Sequence, residues 1–286
     1  MIATSRFFWT AVAAASLVVC QHSDAAQTAK SEHSIDSSSS GPIRSLLQKP
    51  LQGGEAYVWY LVHCGYAIKT QTKLLIFDYV RTTRDSHERS PEQSLAAGRI
   101  DPSEIRDLDV YVFVSHSHED HYDPVILDWQ GQIRNLKYIF GWQAADDSSH
   151  IHLVGPRGSL MLDGMEIYTI NCWSGVPEVA YLIKTDDLTI FFQGDYKSDS
   201  LTDIEYLRDK CAAVDMAFLG AHTQKWGDAS ARIIRIMQML RPRMVFPMHY
   251  GGKEETYTLF AEECAQLGLP AVIKCPEKSG DLFHFR

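Results

Sequence analysis

Cationic side chains are in short supply in this chain. Its 27 Lys and Arg face 36 Asp and Glu, a net charge of −9 with a pI near 5.7. That balance excludes the basic footprint of a nucleic-acid binder and the polybasic patch that anchors a protein to an anionic membrane surface. The apolar run Phe7 to Cys20 falls short of the about 20 residues that a spanning helix needs, and no later segment reads as one. No internal repeat of short period is visible, which excludes a solenoid. Cysteine is sparse, six in 286 residues. Without Cys20 there remain Cys64, Cys172, Cys211, Cys264 and Cys275, an odd number, so at least one thiol stays unpaired within a chain. The material for a core is present: 45% of the residues are hydrophobic, enough for one large globular domain.

Residues 1–26 read as a signal peptide. Arg6 is a short cationic start, Phe7 to Cys20 the apolar stretch, and Ser23-Asp24-Ala25 a small-x-small cleavage site. Leu17-Val18-Val19-Cys20 partly resembles a lipoprotein box, with the bulky Val19 where a small residue is usual, so lipidation at Cys20 is the minority reading. Export to the periplasm or beyond is the expectation, in a compartment where disulfides can form. Residues 27–42, with Ser37-Ser38-Ser39-Ser40-Gly41-Pro42, read as a flexible polar linker. Residues 43–286 form the folded domain.

The segment Val112-Phe113-Val114-Ser115-His116-Ser117-His118-Glu119-Asp120-His121 carries the chemistry. An apolar β-branched run ends in three imidazoles and a carboxylate. Imidazole suits zinc and a carboxylate can join it. His116 and His118, two apart, point the same way in extended backbone. Asp120 and His121 follow as the chain turns and can face a second ion.

These residues resemble the metallo-β-lactamase-fold hydrolases, over about residues 55–286, and within them the lactonase-like and N-acylphosphatidylethanolamine phospholipase-like branch. The resemblance implies an αββα sandwich with metal-binding motifs at successive strand ends. Leu74-Leu75-Ile76-Phe77-Asp78 matches the first motif, in which the Asp holds the His loop. Leu188 to Gly194-Asp195 matches the fourth, and Met244 to His249-Tyr250 the fifth. By resemblance, Asp195 bridges two metals and His249 completes the second site. The third motif departs from the pattern. Ile170-Asn171-Cys172-Trp173-Ser174-Gly175 resembles a His-Trp-Ser-Gly run with Cys172 in place of His. A thiolate ligates zinc at about 2.3 Å, which gives a His-His-Cys first site. Alternatively Cys172 is a small buried thiol and the first site is weak, leaving a one-metal enzyme or a non-catalytic metal-binding protein.

The expected chemistry is attack of a metal-bound hydroxide on a carbonyl carbon or phosphorus, usually with two zinc ions per chain. Asp120 binds the second metal and accepts or relays a proton. The expected substrate is a small or lipid-like ester, phosphodiester or lactone; a β-lactam-type amide is an alternative. His118 differs from the Glu of flavodiiron relatives, and Asp195 from the Cys of the best-known zinc β-lactamases. His63, in Val62-His63-Cys64-Gly65, reads as a supporting or structural residue like Asp78. His222, His150 and His152 read as non-ligands, and Tyr122, Trp173 and Tyr250 as pocket walls or packing.

Apolar runs predict strands at 56–62, 66–69, 74–78, 110–114, 151–154, 166–170, 179–184, 188–193, 215–219 and 243–247. Helices are predicted at about 91–97, 123–129, 200–210, 228–240 and 254–267. The clearest starts at Asp228 as N-cap, carries Ile233, Ile234, Met237 and Leu240 on one face, and stops before Pro242. Arg81 to Arg89 reads as a solvated loop.

Overall fold

The computed structural model describes residues 40–82, 92–142, 150–173, 175–224 and 227–286. The expected signal peptide, most of the linker, most of the Arg81–Arg89 loop and Ser174 lie outside these residues.

Two seven-stranded mixed sheets form the frame. The first is built from β1 (Ala56–Val62), β2 (Gly65–Lys69), β3 (Leu74–Phe77), β4 (Asp109–Val114), β5 (Asn135–Phe140), β6 (Ile151–Leu153) and the last strand, β14 (Leu282–Phe285). The second holds β7 (Ser159–Leu162), β8 (Met165–Asn171), β9 (Val179–Thr185), β10 (Leu188–Phe192), β11 (Met216–Gly220), β12 (Met244–Met248) and β13 (Val272–Ile273). Their orders are β14-β1-β2-β3-β4-β5-β6 and β13-β12-β11-β10-β9-β8-β7. Each sheet starts as an antiparallel meander and continues as parallel strands: β3 to β6 in one, β10 to β13 in the other. The two halves thus repeat one topology that no sequence similarity reveals. Strand β14 returns to the first sheet and pairs antiparallel with β1.

Helices flank the sheets: α1 (Ser40–Gln48), α2 (Pro102–Ile105), α3 (Thr202–Arg208), α4 (Asp228–Leu240) and α5 (Glu255–Gln266). Helix α1 opens at Ser40, before the domain boundary read at residue 43. Among the described residues, the segments expected as helices at 91–97 and 123–129 hold short 3₁₀ turns, Leu95–Ala97 and Pro124–Trp129. In the latter, Pro124 presets the first turn and the Asp123 side chain accepts from the Val125 N–H at 3.0 Å.

The strands read as unbroken apolar runs because both faces of each sheet are covered. In β1, Ala56, Val58 and Tyr60 enter the core between the sheets, whereas Tyr57, Trp59 and Leu61 enter the outer core. Strand β4 divides likewise: Tyr111 and Phe113 inward, Val110, Val112 and Val114 outward. On α4 the buried face is Ile233, Ile236, Met237 and Leu240. Ile236 rather than Ile234 completes it, because spacings of three and four residues keep one face at 3.6 residues per turn.

A candidate metal centre at the strand ends

Parallel strands deliver their C-terminal ends to one edge, and loops leaving that edge carry the polar side chains. Asp78 follows β3, the His116–His121 loop follows β4, Asp195 follows β10 and His249 follows β12. The β1–β2 turn adds His63 and Cys64. The chain doubles back at His118, whose carbonyl accepts from the N–H groups of His121 (3.0 Å) and Tyr122 (2.8 Å). That turn brings His121 back beside His116, their ring centroids 4.2 Å apart, rather than parting the two as the spacing suggests. Four non-glycine residues here hold the left-handed backbone region: His63 (φ 54°), Asp78 (φ 39°), Trp173 (φ 61°) and His249 (φ 77°). Such conformations cost of order 1–3 kcal/mol each and concentrate at functional sites.

Asp78 is fully buried. One oxygen accepts from the Ser115 N–H (2.7 Å); the other accepts from the Ser115 hydroxyl (2.8 Å) and from His121 Nδ1 (2.6 Å). Asp78 therefore holds the His loop, the part the resemblance assigns to it. With Nδ1 held by Asp78, His121 turns its Nε2 towards Asp195 Oδ1, 3.2 Å away. His249 Nε2 stands 2.9 Å from the same oxygen. Neither His249 Nε2 nor Asp195 Oδ1 makes a hydrogen bond, although both atoms are buried. Buried polar atoms rarely go unsatisfied, and nitrogen and carboxylate donors converging on one point suit a cation.

On the other side, His116 Nε2 and His118 Nδ1 meet at 2.9 Å. Among the described residues, two sets of three or more donors lie within 4.8 Å of one another: His116, His121 and Asp195; and His63, Cys64, His121 and His249. Asp120 joins the second group through His63, whose Nε2 is 3.5 Å from Asp120 Oδ2. His118 and Cys172 belong to neither set. His118 is exposed and meets only His116 among the expected ligands. The Cys172 Sγ points instead to the Gln193 carbonyl, at 3.5 Å.

Charge is arranged to keep the carboxylates ionised. The His63 imidazole, 3.5 Å from Asp120 Oδ2, aided by the nearby imidazole of His121, holds the Asp120 carboxyl below its usual range against partial burial. Burial alone would raise Asp195, but His121 and His249 outweigh it and hold that carboxyl far down. Burial lowers His63 and pushes His222 down to about 4, so both imidazoles favour the neutral form. His222 Nδ1 lies 3.3 Å from the Tyr250 hydroxyl, beside the site. Tyr122 packs on Phe140 and Trp142. Trp173 is 62% exposed, and its indole N–H donates to Asp203 at 3.1 Å.

Three residues escaped the sequence reading. The Cys64 Sγ lies 4.0 Å from His121 Nε2, and its place beside His63 is the signal that marks it. Lys197 reaches Asp195 Oδ2 at 3.4 Å and follows Gly194-Asp195 closely enough to have been noticed. Glu178, fully buried, has an oxygen 3.2 Å from His116 Nδ1, and no local pattern announces it.

The described cysteines are all free thiols. No helix among the described residues is long and apolar enough to cross a membrane.

Comparison with known proteins agrees with this geometry. The chain is 26% identical over 212 residues to a UPF0173 metal-dependent hydrolase of Pyrococcus horikoshii, covering 68% of this chain and 84% of that protein. Its fold is similar to Igni18, a metallo hydrolase of Ignicoccus hospitalis, with a TM-score of 0.59 at 16% identity over 81% of this chain and 99% of the other. It is also similar to CmlA, a diiron β-hydroxylase of Streptomyces venezuelae, with a TM-score of 0.56 at 12% identity over 83% of this chain and 55% of the other. At such identities the likeness is one of fold, which hosts more than one chemistry. The family model for the beta-lactamase superfamily domain matches residues 57–249, nearly all of the strand-end motifs included, and the chain belongs to that superfamily.

Proposed function

We propose that this chain, a metal-dependent hydrolase of the beta-lactamase superfamily, is an exported zinc enzyme that cleaves an ester, phosphodiester or lactone. The observation that carries the reading is the convergence of His121 Nε2, His249 Nε2 and Asp195 Oδ1, the last two buried without a hydrogen bond. His116 Nε2 and His118 Nδ1 would hold a first ion and Asp120, His121 and His249 a second, with Asp195 between them. Histidine-rich donors with carboxylates favour zinc. Bound there, the metals supply Lewis acidity, lowering the pKa of water from 15.7 to about 7 and polarising the substrate oxygen.

The chain's own residues do the rest. Asp120 Oδ2, kept ionised by His63 and 41% exposed, accepts the proton that water releases and returns it to the leaving oxygen. Asp78 keeps the His121 lone pair aimed at the centre. Lys197 Nζ, half exposed beside Asp195, stands ready to meet an anionic substrate group. Export rests on residues 1–26, which carry the charge, apolar length and cleavage pattern of a signal peptide.

Metal content and turnover of the purified mature chain test the reading, with bis(p-nitrophenyl) phosphate and a simple lactone as probes. Two zinc ions and hydrolysis of at least one probe are expected, with a loss of 10²-fold or more in His249→Ala. A zinc-loaded chain that cleaves neither probe at a rate above that of the Asp195→Asn variant would sink it.

A further inference from the structure

We propose that Glu178 is a positioning residue that fixes His116 for the first metal position, and that Cys172 is its buried neighbour rather than a ligand. The inference rests on the metal-centre reading above and deepens it at one site.

A fully buried carboxylate is costly unless its charge is paired and hydrogen-bonded, and Glu178 has no exposed surface. It stands at the entrance to β9, directly after Pro177. Its Oε1 accepts from the Asp195 N–H at 2.6 Å and lies 3.2 Å from His116 Nδ1. Ser115 Oγ is 2.9 Å from the same nitrogen and gives its own proton to Asp78 Oδ2. Both neighbours of His116 Nδ1 are thus acceptors, so that nitrogen carries the imidazole proton. The lone pair is left on Nε2, which faces His118 Nδ1 at 2.9 Å.

The arrangement repeats what Asp78 does for His121. His116 and His121 each have a carboxylate behind Nδ1 and turn Nε2 to the other candidate ligands, the pairing that orients metal-bound histidines and raises their basicity. Glu178 also ties the first position to the bridging loop, because one oxygen serves both His116 and the Asp195 backbone. Gly194 leaves the room: a Cβ there would come within 3.0 Å of Glu178 Oε1.

Cys172 has the opposite surroundings. Its Sγ approaches the Gln193 carbonyl at 3.5 Å, as a thiol donor does. It belongs to neither group of converging donors.

Cobalt(II) substituted for zinc distinguishes the two arrangements, because a thiolate ligand adds an intense sulfur-to-cobalt charge-transfer band in the near ultraviolet. The wild type is expected to bind cobalt without that band, and Cys172→Ala to keep the wild-type cobalt stoichiometry and affinity within a few-fold. Glu178→Ala should weaken the first-bound or second-bound cobalt by about 10- to 100-fold in chelator competition. Glu178→Gln, which keeps an acceptor oxygen for His116, should recover part of that loss. A sulfur band in the wild type that vanishes in Cys172→Ala overturns the inference and makes Cys172 the ligand. Wild-type affinity in Glu178→Ala overturns it as well. If Glu178→Ala does not fold, Glu178→Gln and the wild-type spectrum decide. A wild type that takes up no cobalt overturns the metal-centre reading itself, and this inference with it.

Discussion

At the level of single residues, the centre depends on side chains that never face the substrate. Asp78 makes three hydrogen bonds to Ser115 and His121 without any exposure. Asp78→Asn offers a donor where the His121 Nδ1 proton already sits, so the imidazole loses its preferred tautomer or its orientation. We predict a 10- to 100-fold loss of metal affinity in chelator competition. The chain should also lose about 1–3 kcal/mol of stability, since buried polar groups are left mismatched, and urea unfolding of the metal-free protein measures that separately. Unchanged affinity in a folded variant would refute the holding role.

At the level of elements, the turn between β9 and β10 shows how the sheets are tied. Asp186 there accepts from the Thr70 hydroxyl, the Thr72 N–H (2.8 Å) and the Thr72 hydroxyl (2.9 Å) of the β2–β3 turn, and its carboxylate faces Lys73 at 3.7 Å. Burial opposes ionisation, but these donors and the lysine outweigh it and hold the folded carboxyl below its usual value. The native state therefore binds fewer protons at this group than the unfolded chain. Its stabilisation is complete above the unfolded pKa of about 3.9 and is lost as pH falls through the lower folded value. Asp186→Ala should cost about 1–3 kcal/mol at neutral pH, with the difference from wild type shrinking in unfolding titrations carried below pH of about 4. A gap that stays constant to low pH would contradict the pairing. Helix α4 supplies a packing contrast: Ile236→Ala should cost about 2–5 kcal/mol by removing a buried side chain, and Ile234→Ala distinctly less. Equal losses in thermal unfolding would place the buried face elsewhere.

For the whole molecule, the last strand matters out of proportion to its length. Strand β14 covers the edge of the first sheet through β1, with Ala56 opposite Phe285 and Tyr57 opposite His284. Phe285 is buried in the core between the sheets, and Arg243 reaches the Arg286 carbonyl at 3.0 Å. Deleting residues 282–286 uncovers β1 along its hydrogen-bonding edge and opens the core, and exposed edges template association. The truncated chain is expected to unfold at lower temperature and to form soluble oligomers or aggregates in size-exclusion chromatography. A monodisperse truncated chain of unchanged stability would show that β1 needs no cover.

Candidate donors and strand identity were legible in the sequence because both are local. The apolar runs at 56–62, 74–78, 110–114, 179–184 and 188–193 each became a strand, and His116, His118, Asp120 and His121 all lie in the loop that leaves β4, where His116 and His121 converge with Asp195 and His118 stands exposed. The two-residue β13 and the edge strand β14 exist only through pairing with distant segments, and nothing in their own composition demands a strand. The 123–129 segment has helical apolar spacing but closes as a 3₁₀ turn. Which of Cys172 and Glu178 stands behind His116 was likewise beyond the sequence; it is Glu178, with an oxygen 3.2 Å from His116 Nδ1. They lie six positions apart in the chain, and which one faces His116 depends on how β8 leaves its sheet, how β9 enters it, and how both lie against a loop of the opposite sheet. Residue type and spacing are properties of the chain; proximity across two sheets, and the proton each imidazole nitrogen carries as a result, are properties of the fold.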